Sequence, residues 1–172
     1  MGPGTLMRRN IAAGAMAGPI GAVDPGLLLQ LVTISASDGA RMSLIVMAAR
    51  VVRSTHAPIG WLVILGYGVV AGALFGRLVR DRSLPLGIAV VEGAFYGVGW
   101  WIVSGLVLVP TVLGLVPLSP ITVDLMRPVA LPTMIASGLY GAVLGAAFTI
   151  VAKRLHRSQR RHPVTQTTAR AA

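Results

Sequence analysis

Four stretches of this chain, residues 11–34, 60–79, 84–109 and 129–152, are apolar over a length that limits what they can become. A helix needs about 20 apolar residues to cross roughly 30 Å of hydrocarbon. All four meet that length. The composition agrees: 55% of the residues are hydrophobic and 12% charged, against about 25% charged in an ordinary soluble domain. So few polar groups could not cover that much apolar surface in water. The expected fold is an all-α integral membrane four-helix bundle.

The first stretch differs from the others, because Pro19, Asp24 and Pro25 interrupt it. Each proline removes a backbone donor, so a kink is expected there, with neighbouring helices or water satisfying the freed carbonyls. The opening "MGPGTLMRRN" carries the charge of a signal-peptide n-region, but no compact apolar run follows it. Position 6 holds Leu6 rather than the Ser or Thr of a myristoylation signal. The stretch is read as a retained membrane helix.

Basic residues set the expected orientation. Arg8 and Arg9 precede span one; Arg77, Arg80 and Arg82 lie between spans two and three; Lys153, Arg154, Arg157, Arg160, Arg161 and Arg170 follow span four. The connection between spans three and four offers only Arg127, beside Asp124. By the positive-inside rule both termini face the cytoplasm of a bacterial inner membrane. Arg41, Arg50 and Arg53 fall in the first outer loop, against that trend. There "RMSLIVMAARVVR" (41–53) is either an amphipathic helix lying along the outer interface or an extension of a neighbouring span. The apolar, proline-rich connection 110–128 is expected to pack on the bundle or dip back into the interface. The basic tail 153–172 is topogenic, and Lys153, Arg154, Arg157, Arg160 and Arg161 suit anionic lipid headgroups. A net charge of +10 spread between and after apolar runs does not indicate nucleic acid.

Glycine supplies an internal repeat. "YGVVAGALF" (67–75) and "YGAVLGAAF" (140–148) share Tyr, Gly, Val, Gly, Ala and Phe, and "GAMAG" (14–18) matches "GAFYG" (93–97) more loosely. Related stretches are two spans apart, as in a parallel duplication of a two-helix unit. Chance similarity among Gly/Ala/Val-rich helices is the other reading. The helix-packing candidates are Gly14 and Gly18, Gly68, Gly72 and Gly76, Gly93 and Gly97, and Gly141 and Gly145. Glycines four apart share one helix face and let backbones approach closely, either within the chain or against another protein.

Chemistry is sparse. Cysteine is absent, which excludes disulfides, thiolate metal sites and cysteine nucleophiles. Only Asp24 and Glu92 are carboxylates within spans. An aspartate at a helix centre costs about 2.5–3.5 kcal/mol on insertion scales, so both are expected to face the bundle interior or water. As a pair they suggest stations on a proton or cation path. Against that, Asp-Pro initiates turns, and "VDPG" is expected to break span one, with the carboxyl group bonding freed N–H groups. Asp24 is therefore read as shaping its span, and Glu92 as the better candidate for function. His56 sits at the edge of span two, and His156 and His162 in the tail, so no histidine is placed to hold a buried cofactor. No catalytic triad, zinc motif or phosphate loop can be assembled. Neither an enzyme nor a cofactor is expected.

Span three continues "YGVGWWIVSGLVLVPTVLG" (96–114). In this it resembles a class of small four-span bacterial inner-membrane proteins with a Tyr-Gly, Trp-Trp, Leu-x-Leu, Pro and Leu-Gly pattern. Tyr96, Gly97, Trp100, Trp101, Leu106, Leu108, Pro110, Leu113 and Gly114 match it. Ser104-Gly105 stands where the class has Gly-Pro, and Val109 where it has Met. Residues 60–76 and 134–145 resemble its second and fourth spans, but Ile64 and Ser137 replace histidines found there. The resemblance implies the four-helix architecture, and those two replacements count against a histidine-based metal or proton role. The expected function is that of a non-catalytic accessory, scaffold or assembly subunit packed through its glycine faces. The alternative is a small transporter or ion-conducting protein using Glu92 and Asp24. Expected partners are membrane lipids and other membrane subunits or a second copy, not nucleic acid.

Overall fold

Helix α1 (Pro3–Leu31) runs unbroken through both Pro19 and Pro25. The expected break at "VDPG" does not form: α1 is held along its length against α3 and α7, and that packing outweighs the local turn propensity of Asp-Pro. After α1 come strands β1 (Thr33–Ser35) and β2 (Arg41–Ser43), then α2 (Leu44–Arg50) and α3 (Ala57–Leu78). Helix α4 (Leu86–Trp100) continues as a π-helical segment, Trp101–Leu108, into α5 (Val109–Val112). Short α6 (Ser119–Thr122) and long α7 (Arg127–Arg160) complete the chain. The computed structural model describes residues 3–35, 41–79, 85–112, 114–124 and 127–160. Arg80, Arg82, Leu113, Arg161, His162 and Arg170 lie outside them.

Four helical stretches are long and apolar enough to cross a membrane: Met7–Leu31, Ala57–Leu78, Leu86–Val112 and Ala130–Leu155. The fold is all-α in its membrane-length parts, an up-down bundle of four. The third stretch ends three residues later than the sequence suggests. The fourth helix continues through "KRLHRSQR" (153–160), because Lys and Arg are good helix formers and suit a helix C-terminus.

Packing builds the bundle from two hairpins. In the first, α1 lies against α3 in backbone contact: a Cβ on Gly14 would stand 2.0 Å from the Gly72 carbonyl oxygen, and one on Gly18 2.0 Å from that of Gly68. In the second, α4 lies against α7 in the same way, Gly93 on Gly141 and Gly97 on Ser137. Asn10 on Gly76 and Ala89 on Gly145 complete the two series. One contact pattern is thus used twice, with Gly72 equivalent to Gly141. The nonapeptide repeat instead aligns Gly68 with Gly141, one helical turn away. Three glycines four apart on α3 offer neighbouring registers of similar fit. The Asn10 side-chain amide, which donates to the Val79 carbonyl at 3.2 Å, belongs to the register adopted.

The hairpins join along α1 and α7, where the Tyr140 carbonyl passes close to Gly21. Of the helices that are neighbours in the bundle, α3 and α4 approach each other little at the backbone, and aromatic rings fill the space between them. Phe75 meets Phe148 edge-on at 5.5 Å and Tyr96 at 5.0 Å, and Tyr96 stacks on Trp100. Leu144 and Phe148 are fully enclosed.

The connections also fold onto the bundle. The stretch 41–53 divides into a short strand and a short helix. Its first three residues form a ribbon with β1, pairing Ser43 with Thr33 and Arg41 with Ser35, a strand pair the sequence reading lacks. Helix α2 then buries Leu44, Ile45 and Ala49, with the Ile45 carbonyl seated on Gly60 of α3. Arg41, Arg50 and Arg53 remain exposed. On the next connection, Pro110 removes the N–H that would bond the Leu106 carbonyl in an α-helix. The Leu118 N–H takes that place at 2.6 Å and brings the loop back onto the π-helical segment.

Adding one methyl group tests the glycine contact. Gly72→Ala should lower the unfolding free energy in detergent micelles by about 1–3 kcal/mol, as overpacking does. Gly66→Ala, on the same helix with open space around it, should leave the thermal midpoint unchanged or raise it. Equal midpoints for the two variants would mean that α1 and α3 are not in backbone contact.

Candidate functional site

Most hydroxyl groups inside the bundle are bonded to one another or to backbone carbonyls. The Ser104 hydroxyl donates to the Trp100 carbonyl at 2.6 Å, so in its hydrogen bond with Tyr67 the phenol is the donor. Tyr96 donates to the Ala71 carbonyl at 2.6 Å and Tyr140 to that of Gly68 at 3.2 Å. On α7, Thr149 bonds back to the Ala146 carbonyl at 2.7 Å. The Trp101 indole donates to Thr133 at 3.1 Å, whereas that of Trp100 is buried without a hydrogen bond among the described residues. These hydroxyls tie α4 and α7 to the α3 backbone and leave no polar stripe down the middle. The sequence reading missed them as a network. The signal was the tyrosine opening each nonapeptide, but the two play different parts: Tyr140 reaches a backbone carbonyl, Tyr67 the hydroxyl of Ser104.

Both carboxylates lie elsewhere. Asp24 and Glu92 are exposed on the outside of the bundle, so of the two expected settings, bundle interior or water, the interior is not the one adopted. Neither has a hydrogen bond or ion pair among the described residues. Asp24 belongs to an outward stripe of α1 with Met16, Ile20, Leu27 and Leu31, the last 79% exposed. These positions recur every three or four residues, the spacing of one helix face. Glu92 shares the outer face of α4 with Ile88, Phe95 and Gly99. Because α1 and α4 occupy opposite corners of the bundle, the two carboxylates point away from each other.

Direction separates them further. Side chains of a helix lean toward its N-terminus. Glu92 lies six residues from the start of α4, roughly 9 Å along the axis, and its longer chain leans toward that nearby end. It can reach the membrane surface, as long charged side chains near helix ends do. Asp24 lies seven residues before the end of α1, roughly 10 Å, and its short side chain leans the other way, toward the membrane centre. At similar distances from their helix ends, the two carboxylates are therefore separated by side-chain direction rather than by depth.

The remaining candidates are placed as follows. All nine packing glycines are buried in contacts within the chain. Lys153 and Arg154 are exposed on α7, and Arg157 and Arg160 lie in its final turns. Arg9 donates to the Leu155 carbonyl at 3.2 Å and ties α1 to the same end of α7. Among the described residues no three His, Asp or Glu side chains come together to hold a metal. Comparison with known protein families, curated proteins and solved structures finds no match for this chain.

Replacing outward and inward polar groups should have opposite consequences for the purified chain. Ser104→Ala leaves the Tyr67 hydroxyl in the interior without its partner and should cost about 1–3 kcal/mol in unfolding free energy. Asp24→Leu and Glu92→Leu remove no contact within the chain and should leave the detergent unfolding midpoint in place. A large loss for Asp24→Leu would show that its carboxylate is bonded inside the bundle.

Proposed function

We propose that this chain is a non-catalytic subunit of a membrane complex, an accessory or assembly component of a bacterial inner membrane, with both termini cytoplasmic. One observation supports the reading: Asp24 stands in the middle of an outward apolar stripe of α1, on a helix long and apolar enough to cross a membrane. Ionisable groups within membrane segments generally face protein or water and mark functional sites. An outward one calls for protein on that side.

The glycine faces do not serve as the docking surface in this reading. They close the chain on itself, so a partner meets the outer stripes. Lys153 and Arg154, together with the later arginines of the tail, hold the cytoplasmic end against anionic headgroups. The resemblance to small four-span inner-membrane proteins fits the architecture and rests on residues that mostly pack within the chain. Conduction through a single chain has less support, because aromatic rings fill the middle and the two carboxylates stand at opposite corners outside it.

Gentle extraction from native membranes followed by native mass spectrometry tests the proposal. The expected result is a companion protein at fixed stoichiometry. If the chain travels alone, or only with copies of itself, the subunit reading fails. Proton flux in liposomes with Glu92→Gln then becomes the decisive comparison.

A further inference from the structure

We infer that the outward stripe of α1 receives a membrane helix of another protein that carries an arginine or lysine at the depth of Asp24. The inference rests on the subunit reading above and names the chemistry of the partner.

The first support is charge. Asp24 has no hydrogen bond or ion pair among the described residues, stands on the outside, and leans toward the membrane centre. A carboxylate so placed is stabilised by an opposite charge brought to the same depth, and a guanidinium or ammonium group supplies it. Around it, Met16, Ile20, Leu27 and Leu31 form the apolar part of a surface that a second helix can cover at ordinary helix spacing.

The second support is that this chain cannot supply the cation itself. Most basic residues of its membrane-length helices lie toward the opposite membrane face: Arg8 and Arg9 open α1, Arg77 closes α3, and Lys153 and Arg154 lie near the end of the fourth span. Arg127, which opens α7 at the face nearer Asp24, is already paired with Asp124 at 2.9 Å. At the membrane face nearer Asp24, Arg41, Arg50 and Arg53 sit on or just after the β2–α2 cap, which rests on the first turn of α3. A second copy in the same orientation places those arginines at the membrane surface and its own Asp24 beside the first. Like charges would then meet. The complementary partner is a different protein.

The absence of cysteine from the chain makes the test direct. Ile20→Cys, Leu27→Cys and, as a control on the opposite corner, Phe95→Cys are each labelled with a short photo-crosslinker in native membranes, and adducts are identified by mass spectrometry. The expected result is one adduct from positions 20 and 27 that is absent from position 95. Its yield should fall about tenfold or more when Asp24→Asn is added, the loss expected on truncating one partner of a buried charge pair, and should persist with Asp24→Glu. The crosslinked helix of the companion should carry a lysine or arginine. Exchanging the charges, Asp24→Lys here with the cation changed to Asp there, should restore the adduct. An adduct of two copies of this chain, or one indifferent to Asp24→Asn, would overturn the inference. Loss of the adduct with the companion still co-purifying in full would leave the subunit reading standing and remove this face from it. A chain with no companion at all would end both.

Discussion

Contact between bare backbones is the interaction on which the rest of this structure depends. In lipid the side chains gain little by hiding from their surroundings, because hydrocarbon is as apolar as they are. Helices associate instead through close packing and weak polar contacts between their backbones. Glycine at 14, 18, 68, 72 and 76 brings α1 onto α3, and glycine at 93, 97, 141 and 145 brings α4 onto α7. Each hairpin is closed by carbonyl oxygens lying where a Cβ would otherwise be. Once these two contacts are made, the chain is reduced to two slabs, and their mutual arrangement follows from larger side chains.

Those side chains do complementary work. Where the slabs meet along α1 and α7, small residues again allow approach, as Gly21 does beneath the Tyr140 carbonyl. Where α3 and α4 stand further apart, rings of Phe75, Tyr96, Trp100 and Phe148 fill the space. A phenol in this setting brings a hydroxyl that must find an acceptor. Tyr96 and Tyr140 find theirs on the α3 backbone, and Tyr67 on Ser104 within the π-helical segment. Segments of that kind are uncommon and mark local departures from α-helical register. Here the departure precedes Pro110 and the loop that returns through Leu118.

A bundle closed and filled in this way has consequences for function. Its interior carries bonded hydroxyls and rings, and its ionisable groups within the spans are on the outside. Glu92 and Asp24, similar in a list of residues, differ once helix direction is known: one leans toward a membrane surface and the other away from it. The informative surface of the protein is therefore its lipid-facing side, where a carboxylate interrupts an apolar stripe.

Four membrane-length helices were legible in the amino-acid order, because the thickness of a bilayer translates directly into a run of apolar residues. The glycine spacings were legible as helix faces, since residues four apart share a face whatever lies opposite. Which face met which was not: the ladder 68–72–76 is compatible with more than one register, and the nonapeptide repeat points to one a turn away from that adopted. The strand pair 33–35 and 41–43 escaped notice, because six residues divided by a loop carry little periodicity. Continuity of α1 through "VDPG" also went against the local signal, since turn propensity gives way when a long helix is held along its length by a partner. Above all, the outward placement of Asp24 and Glu92 belongs to tertiary structure alone. A sequence states that a carboxylate lies within a span; only the packing of the other three helices decides whether it is covered.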